Sequence, residues 1–209
     1  MRSLVKPVKN DLSQEQNRYN TELEKVVPKH ARHIILIRHG EYLDVGDTDE
    51  THHLTDRGRE QAKYTGQRLQ ELGIKWDKVI ASTMVRAQET ADIILNEIDY
   101  EKTKVKNCAF LREGAPIPPQ PPVGHWKPEA PRTATPLIVG HGNVIRYFVC
   151  RALQFPPEAW LRININHASI TWLTISPSGN VSIKYLGDTG FMPVKHLTNR
   201  IPRPAKNVV

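Results

Sequence analysis

Ile34-Ile35-Leu36-Ile37, followed at once by Arg38-His39-Gly40-Glu41, decides how this chain is read. Four β-branched and leucine side chains closed by a polar break at glycine form the pattern of a short buried strand. Such a strand delivers Arg38 and His39 to its C-terminal end, where α/β sheets place their ligands. A guanidinium beside an imidazole suits an anion, and phosphate is the first candidate.

Working outward, residues 41–53 form an acidic, glycine-containing loop, and Thr55 caps a helix. Ala62, Tyr64, Thr65, Leu69 and Leu72 give that helix an apolar stripe, and Gly73 supplies its stop. Residues 78–81 read as a second strand and 85–98 as a helix whose inner face is Ala87, Ala91, Ile94, Leu95 and Ile98. A third strand is expected at 108–111, ahead of Arg112-Glu113-Gly114. Eight prolines between Ala115 and Pro136 exclude a long helix there and predict an irregular loop. A strand at 137–139 ends in Gly140-His141-Gly142, a helix follows over 143–153, and 169–175 with 181–186 read as a hairpin. Strands alternating with helices predict an α/β three-layer sandwich around a mostly parallel sheet, with antiparallel edge character from the hairpin. Residues 1–32 are expected to be an arm with a short helix over 13–26, residues 33–192 the domain, and 193–209 a tail.

The 209 residues suit one domain. A hydrophobic content of 39% with 24% charged residues is that of a soluble globular protein, and the net charge of +7 favours acidic partners. No dense basic run with interleaved aromatics occurs, so nucleic acid is not an expected partner. Residues 1–29 hold no apolar run of membrane-spanning length and no secretory signal. Cys108 and Cys150 are the two cysteines, too few for a disulfide framework; both are expected to be buried structural thiols in a reducing compartment.

Three strand ends thus present polar groups of one kind. The first offers Arg38 and His39, the second Ser82-Thr83 with Arg86 one turn into the next helix. The third offers His141 before a helix start whose free N–H groups favour an anion. Glu113 is the carboxylate in the equivalent position after the third strand. Asn143 and the N–H groups near Gly142 are further candidate phosphate contacts. Each has a plainer reading: His39 as a satisfied strand-end histidine, Glu113 as a partner of Arg112, Ser82 as a helix cap, His52-His53 as loop surface rather than a metal site.

Arg38-His39-Gly40-Glu41, Ser82-Thr83-Met84-Val85-Arg86-Ala87-Gln88-Glu89-Thr90 and Gly140-His141-Gly142, in this order, resemble the histidine phosphatase superfamily of phosphoglycerate mutase-like proteins. Leu111-Arg112-Glu113-Gly114-Ala115-Pro116, residues 124–129, 144–157 and 186–193 look like its branch of mitochondrial Ser/Thr-protein phosphatases. The resemblance covers roughly residues 32–196. It implies a metal-independent, cofactor-free phosphatase acting on phosphoprotein substrates, a mitochondrial location, and a homodimer or larger homo-oligomer. In this setting His39 is the expected nucleophile, with Arg38, Arg86, His141 and Asn143 binding phosphate. Glu113 is the expected acid–base group, and His141 is counted with His39 and Glu113 as catalytic.

The alternatives are a scaffold that keeps a weakened pocket, and a small-molecule phosphatase or mutase. The resemblance also implies an N-terminal membrane anchor and a Trp/Asp-rich oligomerisation motif, neither of which occurs in residues 1–32, so a shortened, soluble form is expected. A helical segment is expected to be missing between Ala130 and Leu137, with apolar sheet surface exposed in its place.

Overall fold

A computed structural model of the chain describes residues 30–46, 48–113 and 136–199. The expected helix over 13–26 and nearly all of the proline-rich loop lie outside the described residues. The apolar run forms β1 (Arg32–Arg38). It is followed by α1 (Asp56–Glu71), β2 (Lys78–Ser82), α2 (Val85–Glu97), β3 (Lys106–Cys108), β4 (Pro136–Gly140), α3 (Gly142–Ala152), β5 (Ile170–Ile175) and β6 (Val181–Asp188). The six strands make one sheet in the order β3-β2-β4-β1-β5-β6. β3, β2, β4 and β1 run parallel, while β5 pairs antiparallel with both β1 and β6. The sheet is therefore parallel on one side and a hairpin on the other.

The alternation of β1 builds both faces. Ile35 and Ile37 join Val79, Ala81, Leu137 and Val139 beneath α1 and α2, where Leu69, Ala91, Ile94 and Leu95 close the larger core. Leu36 points the other way, to Ile145 and Val149 of α3, Ile165 and Leu173. The result is the expected three layers. Thr55 caps α1 by accepting from the Gly58 N–H at 2.9 Å, and Gly73 ends it at φ +61°, a left-handed backbone that suits glycine. On the α3 face, Ile80 and Ile138 remain half-buried, whereas Val79 and Leu137 beneath α1 and α2 are fully buried.

Two expectations are corrected. The third strand occupies 106–108 rather than 108–111, because Ile80, Ala81 and Ser82 pair in parallel with Lys106, Asn107 and Cys108. The apolar Ala109–Leu111 forms a 3-10 turn that carries the chain to Glu113, and Phe110 on it is 97% exposed. Of the two thiols, Cys150 is buried but Cys108 is half-buried at the sheet edge; both are free. Among the described residues no helix is long and apolar enough to cross a membrane.

Candidate active site

Parallel pairing brings the ends of β1, β4 and β2 together. Arg38 lies opposite Gly140, and the His39 N–H donates to the Gly140 carbonyl at 2.9 Å. The next N–H, of Gly40, donates to Thr90 Oγ1 at 3.0 Å, and that hydroxyl donates to the Arg86 carbonyl. Gly40 also sits against the start of α1. A Cβ on Gly58 would come within 1.9 Å of the Glu41 carbonyl oxygen, so only glycine permits this approach.

A carbonyl and burial among cations fix the state of His39. Its Nδ1 is 2.7 Å from the Gly40 carbonyl oxygen, an acceptor, so the ring proton is on Nδ1 and Nε2 keeps its lone pair. Burial, reinforced by His141, Arg38 and Arg86, holds its pKa well below the ordinary histidine value. The ring is 1% exposed and neutral at physiological pH. The His141 ring lies 5.1 Å away and Tyr42 packs edge-on at 5.2 Å.

Arg86 Nε points at His39 Nε2 from 3.4 Å. Its Nη1 reaches Asp49 at 3.3 Å, its Nη2 reaches Glu113 Oε2 at 3.0 Å, and the guanidinium stacks over Tyr42 at 4.6 Å. Arg38 donates from Nη1 to the carbonyls of Ile165 and Asn199 at 2.7 and 3.0 Å. Burial lowers its pKa to about 10, which leaves it charged at neutral pH. Its Nε is buried without a partner, a donor available to an anion. A Cβ on Gly142 would press on that Nε at 3.3 Å.

His141 occupies the N-cap of α3, where helix N–H groups and their dipole also favour an anion. Burial first, then the charges of Arg86, Arg38 and Arg112, lowers its pKa to about 3, so it too is neutral. Its Nε2 lies 2.9 Å from Ser82 Oγ, and its Nδ1 is buried without a hydrogen bond, 3.7 Å from Glu113 Oε2. Donation from Nδ1 to an anion requires Nε2 to accept from the Ser82 hydroxyl.

Arg38, His39, Arg86, Glu113 and His141 thus converge. Asn143 is on the first turn of α3, and its Oδ1 accepts from Arg146 at 3.2 Å. Glu113 is paired with Arg86 rather than with Arg112, whose guanidinium reaches Asp49 at 3.6 Å and Thr83 at 3.3 Å. The N-cap of α2 is Met84 and not Ser82, which receives the Met84 N–H at 3.4 Å while its main contact is with His141.

Sequence reasoning missed Asp49 and His167, and it placed Tyr42 on the rim without a role, whereas the ring packs against His39 and under Arg86. Asp49 starts a 3-10 turn in the acidic loop after β1, with no strand-end signal to single it out. His167, also 1% exposed, had no motif to mark it.

The donor atoms of His39, Glu113 and His141 lie within 4.8 Å of one another, the set a metal ion would meet. The surrounding guanidinium groups of Arg38, Arg86 and Arg112 make an anion the better match for the site's charge. His53 pairs with Glu89 at 2.8 Å and His52 approaches Asp44 at 3.9 Å.

Comparisons with known proteins agree with this geometry. Residues 34–115 and 125–189 match the histidine phosphatase superfamily (branch 1). The chain is 83% identical over 233 residues to the mitochondrial serine/threonine-protein phosphatase Pgam5 of Drosophila persimilis, covering 100% of this chain and 81% of that one. It is 70% identical to the protein of the same name in Drosophila melanogaster, with the same coverage. These alignments span 233 residues against 209 here, so at least 24 positions of the relatives have no counterpart in this chain.

Among solved structures, a phosphoglycerate mutase of Plasmodium falciparum superposes with a TM-score of 0.54 at 31% identity, over 85% of this chain and 98% of that one. The protein histidine phosphatase SixA, solved with tungstate, shares the fold at a TM-score of 0.55 and 17% identity, over 73% of this chain and 94% of its own. With its arginines, histidines and glutamate gathered at the ends of parallel strands, the chain belongs to the histidine phosphatase superfamily.

Proposed function

We propose that the chain is a metal-independent protein Ser/Thr phosphatase that works through a phosphohistidine at His39. The observation that carries this reading is the state of His39. A buried, neutral imidazole with its proton fixed on Nδ1 offers the Nε2 lone pair between the guanidinium groups of Arg38 and Arg86. The 70–83% identity to Ser/Thr-protein phosphatases supports the substrate class, and their mitochondrial designation supports the same location for this chain.

Nε2 of His39 attacks phosphorus in line, an N–P bond forms, and the ester P–O bond breaks. Arg38, Arg86 and His141 Nδ1 bind the equatorial oxygens, where charge gathers in the transition state. Asn143 stands ready as a further contact. Glu113 gives its proton to the departing serine or threonine oxygen. In the second half its carboxylate takes a proton from water, the water oxygen bonds to phosphorus, and the N–P bond breaks to release phosphate. Substrate phosphate takes Arg86 from Glu113 on arrival, which frees the carboxyl for that work.

The test is phosphopeptide hydrolysis in EDTA, with quenching in alkaline denaturant to trap phosphohistidine. The expected result is turnover with an acid-labile phosphoenzyme that His39→Ala abolishes. Equal turnover by the variant would sink the mechanism. Phosphoglycerate run beside the phosphopeptide separates this reading from a mutase or small-molecule phosphatase. A second reading, a phosphate-binding scaffold, draws on the 24 or more absent positions and the half-buried Ile80 and Ile138. It predicts phosphate binding without turnover. A homodimer is also proposed, with β6, the edge strand of the sheet among the described residues, available to it, and sedimentation checks that state.

A further inference from the structure

His167 takes no part in the steps above, yet its ring lies 5.6 Å from that of His39. Its Nε2 is 3.0 Å from Arg38 Nη2. A guanidinium can only donate, so Nε2 is the acceptor and the ring proton is on Nδ1. That Nδ1–H donates to Thr198 Oγ1 at 2.8 Å, and the His167 backbone N–H donates to the Thr198 carbonyl at 2.8 Å. The same hydroxyl accepts from Gln61 Nε2 at 2.8 Å, which also donates to the His196 carbonyl at 2.6 Å. Gln61 is fully buried, and its Oε1 accepts from the Glu41 N–H at 2.8 Å.

The network therefore starts at the loop after His39, passes through α1 to residues 196–199, and returns through His167 to Arg38. Each polar atom in it has one chemically allowed role. Burial, with Arg38 next, lowers the His167 pKa to about 3, in keeping with a neutral ring facing a cation.

We propose that His167 is a positioning residue for phosphate binding: latched to Thr198, it accepts from Arg38 and holds that guanidinium ready for the phosphoryl group. This rests on the reading that Arg38 binds phosphate. Ile165, Asn199 and His167 take up both terminal nitrogens of Arg38 and leave Nε unpartnered. An arginine ordered in advance loses little freedom when the anion arrives, whereas a loose one must be ordered by it. Losing the acceptor also leaves a buried charged donor unpaired.

The experiment measures inorganic phosphate affinity by calorimetry, together with kcat, KM and melting temperature, for Arg38→Ala, His167→Leu, His167→Gln and Thr198→Val. The expected result is a loss of phosphate affinity of about tenfold in His167→Leu, with KM rising more than kcat falls. Gln should restore most of it, because its amide oxygen replaces the Nε2 acceptor. Thr198→Val should reproduce the loss in part without touching the site, and it serves as the test if His167→Leu does not fold. Equal phosphate affinity in His167→Leu and wild type, with Arg38→Ala impaired, overturns the proposal alone. So does a fall in melting temperature shared equally by Leu and Gln with affinity unmoved. If Arg38→Ala binds phosphate as wild type does, the anion-site reading itself fails.

Discussion

Ser82 and Asp49 show how the residues proposed to bind phosphate depend on their neighbours. Ser82 gives His141 Nε2 its partner, so Ser82→Ala leaves a buried ring nitrogen unpaired at about 1–3 kcal/mol. Donation from Nδ1 then loses its bias, and kcat/KM should fall roughly 10- to 100-fold. Ser82→Thr, which keeps the hydroxyl, should retain most of the activity; steady-state kinetics on one phosphopeptide compares the two. Asp49 acts in the opposite sense. Its carboxylate holds Arg86, Arg112 and the Val85 N–H, so it positions the cations while competing with phosphate for them. Asp49→Asn keeps the acceptor and removes the charge. Inorganic phosphate should then inhibit about 3- to 10-fold more tightly, as expected for one partly screened charge a few ångströms away. A weaker inhibition constant would mean that positioning outweighs competition.

The start of α1 is where element geometry becomes site geometry. Thr55 to Ala should cost about 1 kcal/mol of stability by loss of the cap, with little change in kcat. Gly58→Ala is a different matter, because its Cβ would enter the Glu41 backbone and push the His39-Gly40 peptide off its place. Both stability and kcat should fall, and urea melts run with activity assays distinguish the two variants. The cap, the apolar stripe and the stop of α1 were all legible in the sequence, since each is a local signal. So were β1, β2 and β4, whose short apolar runs end in polar breaks and line the core. β3 was not legible: Lys106-Asn107-Cys108 has no apolar alternation, and its place is set by pairing with Ile80–Ser82 across the fold. The neighbouring Phe110 drew the reading to an apolar residue that in fact faces solvent. The site divides the same way. Arg38, His39, Arg86 and His141 stand at strand ends or helix starts and could be read there. Asp49 and His167 reach the arginines across 37 and 129 positions of sequence, and no local pattern reports such contacts.

At the scale of the molecule, the cost of assembling this site is acid sensitivity. His39, His141 and His167 are all buried and neutral among arginines, with pKa values held well below 6.5 for the first and lowered to about 3 for the other two. Unfolded, each would take a proton near pH 6.5; folded, each resists it. Because the folded-state values are depressed, the unfolded chain binds more protons in this window, and stability falls as pH drops. The stability is fully present above about pH 6.5 and is lost progressively towards pH 3, at up to about 1.4 kcal/mol per pH unit for each ring. Glu89 adds a smaller term of the same sign. Burial pushes its carboxyl up, but the Leu54 N–H, His53 and Arg59 outweigh that and leave it lowered. Denaturant midpoints measured between pH 7 and pH 4.5 should therefore fall steeply, while the wild type stays nearly level from pH 7 to 8. His167→Gln removes one titrating ring and should flatten that slope by up to one proton's worth. An unchanged slope in that variant would show that His167 is protonated in the folded chain, which the contact of its Nε2 with Arg38 forbids.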